Sequence, residues 1–434
     1  MDLLLHNVEI DGRVRDVLIS GGLIAKIGRG LHGSGEVIDG RGGALIPGLT
    51  DHHIHLFASA ARAGTVMLDD ARGPEEVRAR LHRALETRAA GSWVRAAGYH
   101  EQHCGRLDRA RLDEIAAEHP VRVEHQAGSL WILNSLALET VATSDAPSCV
   151  ERDARGRPTG NIWRGEIWLR ERIGQIAPPL EPLGQRLGAL GVTGVMDASA
   201  TTDAGAARLI ANAHRAGELP QRIGLMSAGP LTAPVDKAVV VGPVKFLLDD
   251  HNLPDLDTLV SAIADARAQQ RCVAFHCVTY GELALALAAI QIAGAQPGDR
   301  IEHGGLIAAE TVEDLWRTGL TVVVQPGFVW ERGDRYLSEV ESEAQRDLYR
   351  CASLLRAGVH VAGSTDAPYG SIDPWAAMRA SVARQTRCGV SLGGHEAIIP
   401  RQALNLFLGE LGHSLDIPRQ IVPGAPADLC MLAA

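Results

Sequence analysis

Residues 44–56 read ALIPGLTDHHIHL, an apolar run broken by Pro47-Gly48 that carries Asp51, His53 and His55 toward its end. In an extended strand residues i and i+2 share a face, so the imidazoles of His53 and His55 project together. Two neutral imidazoles meeting at one point suit zinc, although a His-x-His pair also recurs by chance in a His-rich surface turn. The placement of the pair at the end of an apolar strand favours the metal.

The same kind of strand recurs downstream: GVTGVMDA (191–198), QRIGLMSA (221–228), VGPVKFLL (241–248), CVAFHCV (272–278), RIEHGGL (300–306), TVVVQPGF (321–328) and HVAGSTDAP (360–368). Amphipathic stretches with helical periodicity lie between them, at Leu256–Gln270, Glu282–Ala293, Glu341–Ala357 and Pro374–Arg384. Eight apolar strands alternating with helices predict an α/β fold, a (β/α)8 TIM-type barrel. Residues 3–45 instead read as short strands separated by Gly or Asp-Gly turns, which predicts a run of hairpins. Residues from about 57 to 190 break the rhythm with a helix at Pro74–Ala90, a polar loop GYHEQHCGRLD (98–108) and the turn-rich RDARGRPTGN (152–161), and are expected to form a long insertion after the first barrel strand.

The chain has 434 residues, 42 basic and 52 acidic, for a net charge of −10. With 46% hydrophobic and 22% charged residues it can bury a large core. The acidic balance, without a run of Lys or Arg, argues against nucleic acid as a partner. Seven scattered cysteines without a CxxC pair fit isolated thiols and a reducing, cytoplasmic setting. The acidic N-terminus MDLLLH does not read as a secretion signal, and the longest apolar run, Leu283–Ala295, is too short to span a bilayer. The expected partner is a small-molecule substrate, with no membrane; a homo-oligomer is left open.

Further candidate ligands stand at other strand ends: Lys245, His276, His303 and Asp366. In a barrel these ends meet at one face, where active sites of this architecture are built. A lone strand histidine is commonly an ordinary core or turn residue; several strands ending alike are not so readily explained. The loop at His100, Glu101 and His103 offers a second cluster, read as a polar rim of the pocket and given no metal. Trp131, Trp163 and Trp168 in the insertion, with Trp330 after the seventh strand, read equally as a small core or as an aromatic lid over the site. Trp131, His100, Trp163 and Trp330 are the expected substrate-binding residues, for a neutral substrate bearing an apolar or aromatic group.

The run at 45–56, HCV (276–278), RIEHG (300–304), GSTDAP (363–368) and GAPADL (424–429) resemble the amidohydrolase superfamily. LWILNSLAL (130–138), GRPTGN (156–161), VKFLLDD (244–250) and QPGF (325–328) are similar to its YtcJ-like branch, which includes N-substituted formamide deformylases. The resemblance spans nearly the whole chain. It implies a small β-sandwich beside the barrel, divided as residues 1–45 and 416–434 around a barrel at 46–415, and a divalent metal centre, taken as two zinc ions per chain. Carried over by position, His53, His55 and Asp366 would bind the more buried metal and His276 and His303 the more exposed one. Lys245 would bridge both as a carbamate; its alternative is an unmodified strand lysine beside a mononuclear centre. Ser129, with His125 nearby, stands where the family usually has a histidine, so a substrate contact is expected to differ. The chain also stops soon after GAPADLCML, which implies a trimmed sandwich.

The implied activity is metal-dependent hydrolysis of a carbon–nitrogen bond in an amide, formamide or N-acyl compound, not a peptide bond. Asp366 would act as the base and His303 would help orient the carbonyl. The alternatives are a deaminase or cyclic-amide hydrolase, a lactonase or esterase, and a binding protein that keeps the metal without turnover.

Overall fold

The computed structural model describes residues 2–86, 88–127, 129–141, 147–173, 177–232, 238–412 and 415–433. It divides into two compact units, Met1–Ser59 with Leu180–Ala434, and Ala60–Pro179.

In the first unit eight parallel strands form one nearly closed sheet: β1 (Leu49–Ile54), β2 (Val192–Asp197), β3 (Arg222–Ser227), β4 (Val239–Leu247), β5 (Val273–Cys277), β6 (Arg300–His303), β7 (Thr321–Val324) and β8 (His360–Gly363). The order of the strands around the sheet follows their order along the chain, with the second unit inserted between β1 and β2. The seam between β8 and β1 is bridged just past the strand ends, where Asp366 N–H donates to His53 O at 2.9 Å and His55 N–H to Ala367 O at 2.8 Å. Every residue of β1 and β7 is buried, which explains continuous apolar runs rather than alternation. Polar N-caps start several crossover helices: Asp203 for Ala204–Arg215, Asp255 for Leu256–Ala268, and a capping box of Thr279 and Glu282 for Tyr280–Ala293.

Two local expectations are corrected here. The stretch 341–357 is not one helix: it holds a 3-10 turn at Gln345–Asp347 and a short helix at Ala352–Arg356. Tyr349, at φ +46°, breaks the helical path between them, and Arg350 turns inward to Asp347 and Glu396. The seventh strand ends at Val324, and from Gly327 the chain is already helical as far as Glu339.

The N-terminal strands Leu3–Ile10, Arg13–Ser20, Leu23–Gly28 and Glu36–Asp39 form a sheet in the order third, second, first, fourth. The Asp11-Gly12 turn has φ of +48° and +76°, the positive pair that a two-residue hairpin demands. Leu45–Pro47 pairs antiparallel with Leu429–Met431, and Ala425 accepts from Ile24 N–H at 2.8 Å. Leu5, Val8, Val17, Ile24 and Leu45 share an apolar cluster with Ile421 and Leu429, so both ends of the chain contribute to this β layer.

The second unit is more than a helix with loops. It contains a six-stranded mixed sheet ordered Val150–Arg152, Pro158–Trp163, Leu130–Leu133, Val121–His125, Val94–Tyr99, Thr65–Met67. The last three strands named are parallel to one another and the first three pair antiparallel. The helix beginning at Pro74 runs to Glu86 and buries Val77 and Leu81 in this unit's core. The polar segment after Gly98 folds as the helices Glu101–Cys104 and Arg109–Ile115. Strands of three to six residues carrying Arg and Glu, such as VRVEH, give too few alternations for the period of two to stand out.

Candidate active site

A cavity of about 570 Å³ is lined by residues of the first unit alone, among them His53, His55, Lys245, His276, His303 and Asp366. The barrel register brings these side chains to one end. Leu247 on β4 pairs with His276 on β5, and Cys277 pairs with His303 on β6, so successive ligand candidates stand on adjacent strands at one level. Ring centroids of His276 and His303 are 4.4 Å apart, those of His53 and His303 4.7 Å, and those of His53 and His55 5.4 Å.

Alternation along β6 would send Glu302 and His303 to opposite faces. His303 has φ +73°, outside the extended region, and this turns its ring inward beside the residue that precedes it. Asp366 is at φ +53°. Left-handed backbone at a non-glycine residue costs of order 1–3 kcal/mol and persists where the surroundings enforce it.

Each of three histidines commits its Nδ1 hydrogen to a partner. His53 Nδ1 donates to Glu302 Oε2, whose carboxylate is gripped by Arg300, and Arg300 Nη2 also donates to His52 O at 2.5 Å. His55 Nδ1 lies 3.1 Å from Ser199 Oγ, which itself donates to Asp197 Oδ1 at 2.6 Å and so must accept from the imidazole. His303 Nδ1 donates to Gln325 Oε1 at 2.9 Å, and the Gln325 amide is oriented by donating to Ser364 Oγ at 2.9 Å. All three rings therefore present a bare Nε2. Those of His53 and His55 face Asp366 Oδ1 at 3.5 and 3.2 Å, an acceptor against acceptors.

Burial first, then the charge of Lys245, holds the imidazoles of His53 and His276 down to about 4, so neither supplies a proton at neutral pH. Burial pushes the Asp366 carboxyl up, but at acid pH, where protonated His55 can donate to it and protonated His53 and His303 face it as charges, they outweigh burial and hold it at about 2. Asp366 Oδ1 and the 2%-exposed Lys245 Nζ have no hydrogen-bond partner among the described residues. Converging imidazole lone pairs and an ionised, unpartnered carboxylate oxygen fit a divalent cation held by His53, His55 and Asp366. Burial lowers the Lys245 amine to about 8, which leaves it mostly protonated at neutral pH but brings its neutral form within reach.

The cavity's aromatic side chains are Phe57, Phe328, Tyr349 and Tyr369, and they do not include Trp330. Trp330 is 44% exposed and lies under Arg387 at 4.8 Å. Trp131, Trp163 and His100 belong to the second unit. There Trp131 is buried in the apolar cluster of Leu133, Leu138 and Ile162, as a small core would have it, and Trp163 donates to Glu151 Oε2 at 2.9 Å. His100 and His125 accept backbone N–H groups of Gln102 and Ala127 at their Nδ1, which leaves the proton on Nε2 and makes this cluster a poor set of metal donors as arranged. Glu302, Ser199, Asp197 and Gln325 were not singled out from sequence. Glu302 and Gln325 lie inside RIEHG and QPGF, so adjacency to His303 and β7 was their only signal.

The seven cysteines are free, and no helix among the described residues is long and apolar enough to cross a membrane. The chain is 25% identical to the N-substituted formamide deformylase of Arthrobacter pascens, over 95% of this chain and 89% of that one. It is 22% identical to the putative amidohydrolase YtcJ of Bacillus subtilis, over 86% and 80%. A crystal structure of an uncharacterised metal-dependent hydrolase from Pyrococcus horikoshii superposes with a TM-score of 0.74 at 21% identity, covering 100% of this chain and 98% of that one. The sequence pattern of the amidohydrolase family matches residues 36–434, and the chain is therefore a member of that family, a hydrolase of its YtcJ-like branch.

Proposed function

We propose that the protein hydrolyses a non-peptide carbon–nitrogen bond, in a formamide, amide or other N-acyl small molecule, at a divalent metal centre for which zinc is the default. The observation that carries this reading is the convergence of the His53 and His55 Nε2 atoms on Asp366 Oδ1. A divalent cation held by His53, His55 and Asp366 would lower the pKa of water from about 15.7 to about 7 and would polarise a carbonyl. Ionised Asp366 takes a proton from the attacking water and delivers it to the departing nitrogen, so that amide and water leave as an acid and an amine. Glu302, Ser199 and Gln325 hold the rings of His53, His55 and His303 in the tautomer that keeps each Nε2 available. Lys245 is assigned as the site of carboxylation: its amine adds to carbon dioxide with loss of a proton, and the repelling cation becomes an anion suited to a two-ion centre together with His276 and His303. The N-terminal strands and the C-terminal end are assigned to a small β-sandwich at 1–45 and 416–434, and a reducing cytoplasm suits the free thiols.

The test is removal of metal by a chelator followed by stepwise return of zinc, with bound metal measured by elemental analysis. Turnover is followed on a panel of N-formyl and N-acyl amides. Amine release that disappears with the metal and returns with it is expected. Full turnover by metal-free protein overturns the reading, and ammonia release from a heterocycle moves it to a deaminase.

A further inference from the structure

Apart from the ligand candidates Lys245 and Asp366, one charged side chain lines the catalytic cavity: Arg332. It sits on the helix Gly327–Glu339, one turn after Phe328, with its guanidinium carbon 3.8 Å from the Phe328 ring centroid. Arg332 Nη2 donates to Tyr369 O at 2.7 Å. The ring of the same tyrosine stands edge-on to His55 at 5.3 Å, so a single residue separates the guanidinium from a ligand imidazole.

Arg332 forms no ion pair and no second hydrogen bond among the described residues. Largely buried guanidiniums of the same unit have N–H groups taken up, Arg267 by Asp299, Arg300 by Glu302, Arg350 by Asp347 and Glu396, and Arg271 and Arg384 by several backbone carbonyls. A guanidinium oriented on an aromatic face, with most of its N–H fork free in a cavity whose other charged groups are the ligand candidates Lys245 and Asp366, is built for a planar anion. Its position is fixed before a ligand arrives, so little rotamer freedom is lost on binding.

We propose that Arg332 receives a carboxylate of the substrate, so that the substrate class is an N-acyl or N-formyl amino acid, or a close relative with the acid set a short distance from the scissile amide. This rests on the reading of the site as a carbon–nitrogen hydrolase and replaces the neutral substrate expected from the tryptophans. The apolar part of the substrate lies along Phe57, Leu247 and Phe328.

The test uses zinc-loaded protein and two compounds that differ only in the carboxylate, N-formylphenylalanine and N-formylphenethylamine. Wild type is expected to favour the acid by at least about 10-fold in kcat/KM, mainly through KM, the scale of a charge-assisted bidentate contact. Arg332→Gln should abolish that preference, the acid losing at least about 10-fold more in kcat/KM than the neutral compound, and Arg332→Lys, with charge but no fork, should fall between. Calorimetric binding of both compounds to the Asp366→Asn protein gives a readout independent of turnover, and adding Arg332→Gln or Arg332→Lys to it repeats the comparison. A preference that is absent in rate and in binding, or that survives Arg332→Gln, overturns the proposal. If Arg332→Gln does not fold, Arg332→Lys with an undiminished preference overturns it. If neither compound is cleaved but the acid binds more tightly and loses this with Arg332→Gln, Arg332 is the anion anchor and the hydrolytic reading is the part that fails.

Discussion

Glu302 accepts the Nδ1 hydrogen of His53 inside the barrel, and neither side chain is more than 1% exposed. The pair couples the metal candidate to the buried guanidinium of Arg300, which grips the same carboxylate. Burial pushes the Glu302 carboxyl up, but Arg300, Lys245 and His53 outweigh it and hold it well below the usual carboxylate range.

Replacing Glu302 by Gln removes the charge and keeps the shape. Metal affinity should fall by about 10- to 100-fold, the scale seen when a partner orienting a ligand histidine is lost. Competition titration with a chromophoric chelator measures it. An affinity equal to wild type would show that the His53–Glu302 bond does not tune the centre.

Asp366→Asn should keep the fold and at least one metal while turnover drops about 100-fold or more, as expected when a general base is removed. Steady-state kinetics alongside elemental analysis separate the two effects. Wild-type turnover in this variant is incompatible with Asp366 as the proton carrier.

Lys245→Ala should lower bound metal from two per chain toward one and reduce activity, with partial recovery in short carboxylic acids able to fill the vacated place. Metal content and rescue are both read directly. Saturation of the wild-type protein at a single metal would leave the histidines and Asp366 as a mononuclear centre.

Away from the catalytic cavity, Glu396 is fully buried and accepts from Ser353 N at 2.8 Å, Cys351 N at 3.0 Å and Arg350 Nη1 at 2.9 Å. Burial opposes ionisation, yet these partners hold its carboxyl below 4.5. A depressed folded value means that its stabilisation is complete above pH 4.5 and is lost as pH falls through the folded value. Glu396→Gln should lower Tm near neutral pH and flatten the fall of Tm on acidification. Parallel acid limbs for wild type and variant would remove Glu396 from this role.

The eight barrel strands were legible because most are short, largely buried apolar runs between turn signals, and local hydrophobicity suffices to mark them. The Asp11-Gly12 hairpin was legible because its turn requires positive φ at two successive residues. His53, His55, Lys245, His276, His303 and Asp366 could be named because strand ends of a parallel barrel converge whatever lies between them. The sheet of the second unit was not legible, since its strands are too short and too charged to carry a period. Nor was the break at Tyr349, where Asp347, Arg350 and Glu396 meet from segments distant in sequence.

By itself, the sequence determined the barrel and the chemical types gathered at one end of it, because both follow from local patterning and residue identity. Only the tertiary structure decided which nitrogen of His53, His55 and His303 is free, that Glu302, Ser199 and Gln325 set those tautomers, and that Arg332 bonds Tyr369 O in the cavity without an ion pair among the described residues. Hydrogen-bond direction and charge pairing depend on partners far apart in sequence, 249 residues for His53 and Glu302 and 314 for Asp51 and Thr365, and no local period encodes them.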